Sequence, residues 1–167
     1  MSDIGDFRQE KDELFGTQEE SPLTAGQKKG FTGLKYFPED PGFHVDASLE
    51  RVDGGLIDVK TSAGDTEAYK RYGKVKFNLG GKEHSLNVYQ STDNSHLFLP
   101  FMDKTNQSET YHDGRYVEVE DDGGKVNLDF NYAYNPYCAY NSNFRCPITP
   151  SENTLDVEIK AGEKKFH

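Results

Sequence analysis

The chain has no tryptophan, two cysteines, two methionines and no apolar run long enough for a membrane span. Basic residues cluster no further than the doublets Lys28-Lys29, Lys70-Arg71 and Lys164-Lys165. Non-specific nucleic-acid binding needs a basic stripe, and an anionic membrane surface selects for one too, so neither partner is expected. Lysines outnumber arginines 14 to 5, which argues against a surface built for bidentate phosphate recognition. The N-terminal stretch MSDIGDFRQEKDELF is charged where a secretory leader is hydrophobic. The reading is a cytoplasmic protein whose two cysteines are free thiols. Also missing are G-x-S-x-G, H-E-x-x-H, the phosphate-binding loop and the dinucleotide fingerprint, and no cofactor or resident metal is expected.

What is present is a β-protein palette. In 167 residues, 34% are hydrophobic and 13% aromatic, with 16 glycines to make turns. The net charge of −10 is read as a solubility feature, because charge balance speaks to solution behaviour rather than fold. Residues 1–22 predict a helix and connector, with Ile4, Phe7, Leu14 and Phe15 spaced for one face and Gly16 at its end. Residues 23–167 predict a single β domain. Alternation marks strands over 43–52, 56–61, 66–72, 74–79, 83–89, 96–101, 116–119, 126–130 and 155–159. Asp53-Gly54-Gly55 and Gly80-Gly81 are expected as hairpin turns. The fold class is therefore all-β, a sandwich or flattened barrel of roughly eight to ten short antiparallel strands with a short N-terminal helix.

One stretch resists that pattern. Residues 129–163 hold both cysteines (Cys138 and Cys146) and three of the seven prolines (Pro136, Pro147 and Pro150). Those prolines forbid a helix, yet Phe130, Tyr132, Tyr134, Tyr137, Tyr140 and Phe144 are too apolar for a solvated linker. A Pro/Tyr/Asn-rich packed loop over 131–154, covering one end of the domain, is the expectation. Within and around it five motifs stand in order: F-x-D-x-T at 101–105, T-Y-x-x-G-R-Y at 110–116, D-F-N-x-A-Y-N-P-x-C-A-Y at 129–140, C-P-x-x-P-x-E-N at 146–153 and A-G-E at 161–163. With these motifs the chain resembles a bacterial and archaeal family catalogued as a domain of unknown function. That resemblance implies membership and brings no activity with it.

The chemistry-bearing residues lie in these motifs. Arg115 offers five donors in a planar fork. It serves either to lock strands by pairing with Asp103 or Asp129, or to grip a carboxylate or phosphate of a small ligand. Asn131, Tyr134, Asn135, Tyr140, Glu152 and Asn153 place directed polar groups in the loop, either to satisfy its backbone or to line a pocket. The best reading is a small-molecule-binding site near 131–154 and Thr110–Tyr116, drawing on Asp103, Tyr111, His112, Arg115, Asn131, Tyr134, Asn135, Glu152 and Asn153. The alternatives are a hydrolase or isomerase using Arg115 with a carboxylate or His112, and a purely structural or partner-binding protein. Cys138 and Cys146 are read as structural, buried among Tyr134, Tyr137 and Phe144. A disulfide between them would close a nine-residue loop, worth about 2.5 kcal/mol in chain entropy. Zinc would draw two further ligands from elsewhere, such as His96 or His112, and a thiol nucleophile would look to His112 as its base.

Overall fold

The computed structural model describes residues 3–93 and 95–167. The N-terminal periodicity forms helix α1 (Asp3–Thr17), with Ile4 and Phe15 buried, and Gly16 lies inside its last turn rather than beyond it. A one-turn helix α2 (Ala25–Lys29) follows, opened by a capping box between Thr24 and Gln27. Among the described residues no helix is long and apolar enough to cross a membrane.

The strands are β1 (His44–Arg51), β2 (Leu56–Lys60), β3 (Thr66–Leu79), β4 (Lys82–Ser91), β5 (Leu97–Phe101), β6 (Arg115–Val117) and β7 (Lys125–Asp129). They make one antiparallel sheet in the order β6-β5-β4-β3-β1-β7, with β2 also on β3, curled into a half-barrel. Gly80-Gly81 is the expected two-residue hairpin turn: both glycines have positive φ and Leu79 pairs with Lys82. The other glycine turn is different. Strands β1 and β2 do not pair with each other. Both lie end to end along β3, β1 against Gly73–Lys76 and β2 against Thr66–Lys70. Asp53-Gly54-Gly55 is thus a kink between two strands laid along β3, closed by Val52 N–H to the Tyr72 carbonyl and Arg71 N–H to the Gly55 carbonyl. A Cβ on Gly54 would sit 2.7 Å from that of Arg71, so glycine is needed for close approach rather than for reversal.

The strand count falls to seven among the described residues for two reasons. Residues 66–72 and 74–79 are one strand, bulged at Arg71/Gly73 instead of broken. Residues 155–159 bend at Asp156 and Val157 beside Met102 and Lys104, bonded to them without forming a ladder. Their alternation still holds, since Leu155 and Ile159 are buried in the main core.

The bulge also sorts the interior. An extra residue swaps which parity of a strand faces which side. After the bulge Val75 and Phe77 join Leu86, Val88, Leu99, Phe101 and Leu128 in the main core. Before it Tyr69 turns to a second cluster with Val59, Tyr89, Phe98 and Tyr116. Segment 131–154 covers that second cluster. Tyr134 bridges to Tyr116, whose hydroxyl donates to the Pro147 carbonyl, and Ile148 N–H bonds to the Lys60 carbonyl at the β2 edge. Further on, Tyr140 packs against Phe15 of α1 with ring centroids 4.9 Å apart.

Candidate functional site

Within the Thr110–Tyr116 motif a glycine lets chains touch. Gly114 has φ +96°, and a Cβ there would lie 2.6 Å from the Phe101 carbonyl. Arg115 then points inward and is wholly buried. Its guanidinium donates to the carbonyls of Ala161, of Glu163 at 3.2 Å and of Ile159 at 2.9 Å, with Asp103 at 3.6 Å. Asp103 also accepts from Thr105 at 2.8 Å and from Ile159 N–H at 2.6 Å. Burial pulls the Arg115 pKa down to about 10, opposed by Asp103 and Glu163, so the group is charged at neutral pH. Of the two roles open to Arg115, the strand-locking one is what these contacts perform.

The asparagines are equally occupied. Asn131 exchanges bonds of 2.9 Å with the Asp40 N–H and carbonyl, and Asn135 donates to the Lys164 carbonyl at 3.0 Å. Asn153, fully buried, donates to the carbonyls of Asn87 (2.9 Å) and Pro100 (2.8 Å) and accepts from Asn87 N–H at 2.9 Å. Asn153→Ala strands three buried backbone groups at the β4–β5 junction. It should cost about 2 kcal/mol, read as a lower urea midpoint with unchanged slope. Glu152 sits at the surface on Arg71 at 2.8 Å, which holds its carboxyl below the usual range. His112 pairs with Asp113 at 3.2 Å and is mostly exposed. An acid–base constellation of Asp103, His112, Arg115 and Glu152 is therefore not assembled: two meet in the interior, and two face water with other partners.

Three of the nine residues remain beside open space. Tyr111 and His112 line a cavity of about 320 Å³ together with Cys138, Ala139, Lys165 and His167. Tyr134 lines a different cleft, about 560 Å³, between α1 and the loop, where Phe7, Lys11, Leu14, Phe15 and Tyr137 complete the walls. The α1 stripe was legible in the sequence, but nothing there said that it faces Tyr134. The residues at the rim were missed as well. Glu118 accepts from the Tyr134 hydroxyl at 2.6 Å, and Lys11 lies 5.1 Å above the Tyr134 ring while paired with buried Glu163.

A sequence model of the family described as "Protein of unknown function (DUF1684)" matches residues 29–164. The chain belongs to that family. Among solved structures it is similar to the solution NMR structure of an uncharacterized protein from Haloarcula marismortui, at 35% identity and a TM-score of 0.72. That match covers 96% of this chain and 91% of the other. No protein with a curated description matches.

The stretch matched by the DUF1684 family contains both cysteines and the loop wall of the aromatic cleft, whereas α1 precedes it and the cavity residues Lys165 and His167 follow it. Both cysteines of this DUF1684 domain are free. Cys138, in the short 3₁₀ turn Tyr137–Ala139 after Pro136, is half-exposed, and Cys146 behind it is buried. The Cys138 N–H donates to Cys146 Sγ at 3.3 Å, and the Tyr111 hydroxyl lies 3.6 Å from Cys138 Sγ. Tyr137 and Phe144, expected over the thiols, are instead exposed and stack edge-on at 5.2 Å. Hydrogen bonding from Cys146 first, then from Tyr111 and Ser62, brings the Cys138 pKa down to about 6 against the desolvation cost. The same contact and burial push the Cys146 thiol up. No group of three or more His, Cys, Asp or Glu among the described residues could hold a metal ion.

Proposed function

We propose that this domain binds a small, flat, largely apolar molecule in the cleft between α1 and residues 132–137, at the side of a flattened barrel. One observation carries the reading: five aromatic side chains (Phe7, Phe15, Tyr132, Tyr134 and Tyr137) wall a single cleft, with Glu10, Lys11 and Glu118 as its charged residues. Its volume, about 560 Å³, is within the usual range for small-molecule sites. Aromatic faces favour offset or edge-on contact with a planar partner. The ordered Lys11 and Glu118 would orient polar substituents at the rim.

A panel of planar heteroaromatic compounds, screened by thermal shift, tests this. A ligand present at about 100 times its Kd stabilises by about 2.7 kcal/mol, which raises the melting temperature by about 5–10 °C in a domain of this size. Leu14→Trp, filling the cleft from a half-buried position, should abolish the shift while leaving the free protein folded. A panel without hits, or hits that survive Leu14→Trp, would rule the cleft out.

A further inference from the structure

The two cysteines make up a second arrangement, separate from the aromatic cleft and independent of any ligand there. Their placement is unequal. Cys138 opens onto the 320 Å³ cavity, while Cys146 is 9% exposed and lies directly behind it, its sulfur accepting the Cys138 N–H. Buried structural thiols have no need of such a division between an outer and an inner sulfur.

We propose that Cys138 and Cys146 are a reactive dithiol that exchanges with small disulfides, Cys138 attacking from the cavity and Cys146 resolving the product. In the first step the Cys138 thiolate attacks one sulfur of a low-molecular-weight disulfide R–S–S–R. A Cys138–S–S–R bond forms, the S–S bond of the small molecule breaks, and R–S⁻ departs. In the second step Cys146 gives its proton to that thiolate and attacks the Cys138 sulfur, releasing a second R–S⁻. The protein dithiol is oxidised by two electrons, and the small disulfide is reduced to two thiols.

The surroundings fit both halves. Tyr111, His112 and Asp113 lie near Cys138 on one loop, Ser62 and Cys146 on two others, and Lys165 and His167 at the C-terminal end line the same cavity. The Tyr111 hydroxyl and the Cys146 thiol are donors to a Cys138 anion, while the Asp113 charge opposes it. Lys165 supplies positive charge on the wall where the departing thiolate emerges. The backbone N–H aimed at Cys146 favours an anion on that sulfur, but its burial and its role as donor to Cys138 keep the proton there. Its lowered pKa gives Cys138 more thiolate at neutral pH than an ordinary cysteine. The inner sulfur already lies against the outer residue, accepting its N–H at 3.3 Å.

Glutathione disulfide and iodoacetamide are sufficient probes. With glutathione disulfide at pH 7, the wild-type protein should lose both thiol hydrogens and retain no glutathione, and peptide mapping should place one disulfide between Cys138 and Cys146. Cys146→Ala should stop at the mixed disulfide, carrying one glutathione on Cys138, and Cys138→Ala should carry none. Iodoacetamide should modify Cys138 before Cys146 in the reduced wild-type protein, with half-maximal rate near pH 6. Tyr111→Phe should move that midpoint upwards. Melting curves establish that each variant is folded, and the wild-type measurements need no variant at all. Glutathione persisting on the wild-type protein, Cys146 reacting first, or a midpoint near the ordinary value of about 8.5 would each overturn the assignment.

Discussion

Arg115→Met should lower the stability of this domain by about 4 kcal/mol, seen as a fall of about 10 °C or more in the melting temperature. The substitution preserves length and much of the volume, so cavity formation is not the main term. Three things are lost together. The carbonyls of Ile159, Ala161 and Glu163 lose a donor, and the chain from 159 to 163 loses the group that gathers it. Asp103 is left as a buried anion whose cation has gone, which is the expensive part. A second substitution separates these contributions. Asp103→Asn in the Arg115→Met background removes the stranded charge, keeps an oxygen for Thr105 and Ile159 N–H, and should recover part of the loss. If Arg115→Met melts within about 2 °C of the wild type, the guanidinium is not the clamp described above.

Gly162→Ala should be nearly as damaging, for a different reason. Gly162 has φ +78°, a region that costs a side chain on the order of 1 kcal/mol by itself. A Cβ there would also stand 2.7 Å from the Ala133 carbonyl oxygen and 2.8 Å from that of Phe130. Both neighbours are backbone, in the 3₁₀ turn Phe130–Tyr132 and just after it, so neither can swing aside as a side chain would. The Glu163 N–H bond to the Ala133 carbonyl would have to stretch. A loss of about 3 kcal/mol is expected in chemical denaturation. Gly80→Ala is the control: its φ is +61° but nothing lies within 4 Å of the added carbon. It should show the conformational cost alone, and equal losses at the two positions would mean that the close approach at Gly162 has no energetic weight.

Much of the sheet could be read from alternation. The Gly80-Gly81 hairpin and the burial of Leu155 and Ile159 follow directly from it, because period-two patterning reports which side of the chain faces apolar neighbours. Pairing was not legible in the same way. Asp53-Gly54-Gly55 has the composition of a hairpin turn, yet the glycines there serve a kink against Arg71, and whether β2 folds back or continues depends on β3. Gly73 looked like a break because a bulge also reverses parity.

The site residues divide along similar lines. The motifs marked where polar groups are dense, and Arg115, Asn131 and Asn153 are indeed all heavily bonded, while Asn135 makes one bond, to the Lys164 carbonyl. Density of bonding is the same for a scaffold as for a pocket, so composition could not separate the two. What sets Tyr111, Cys138 and Tyr134 apart is the open space beside them, which arises from segments far away in sequence: α1 for the cleft, residues 165–167 for the cavity.

Glu163 has one more consequence, which concerns the order of assembly. Its buried carboxylate holds Lys11 of the N-terminal helix on one oxygen and the Tyr140 hydroxyl on the other, while its own carbonyl takes a bond from Arg115. Lys11 and Glu163 are 152 residues apart, so this junction closes nearly the largest loop the chain can make. Loop entropy must be spent before such a contact returns anything, and contacts of wide separation form late. During synthesis α1 therefore lacks this ion pair until residue 163 has been made. The local β3–β4 hairpin can form much earlier, and it leaves both its faces waiting for covers that arrive with β7 and the residues after it.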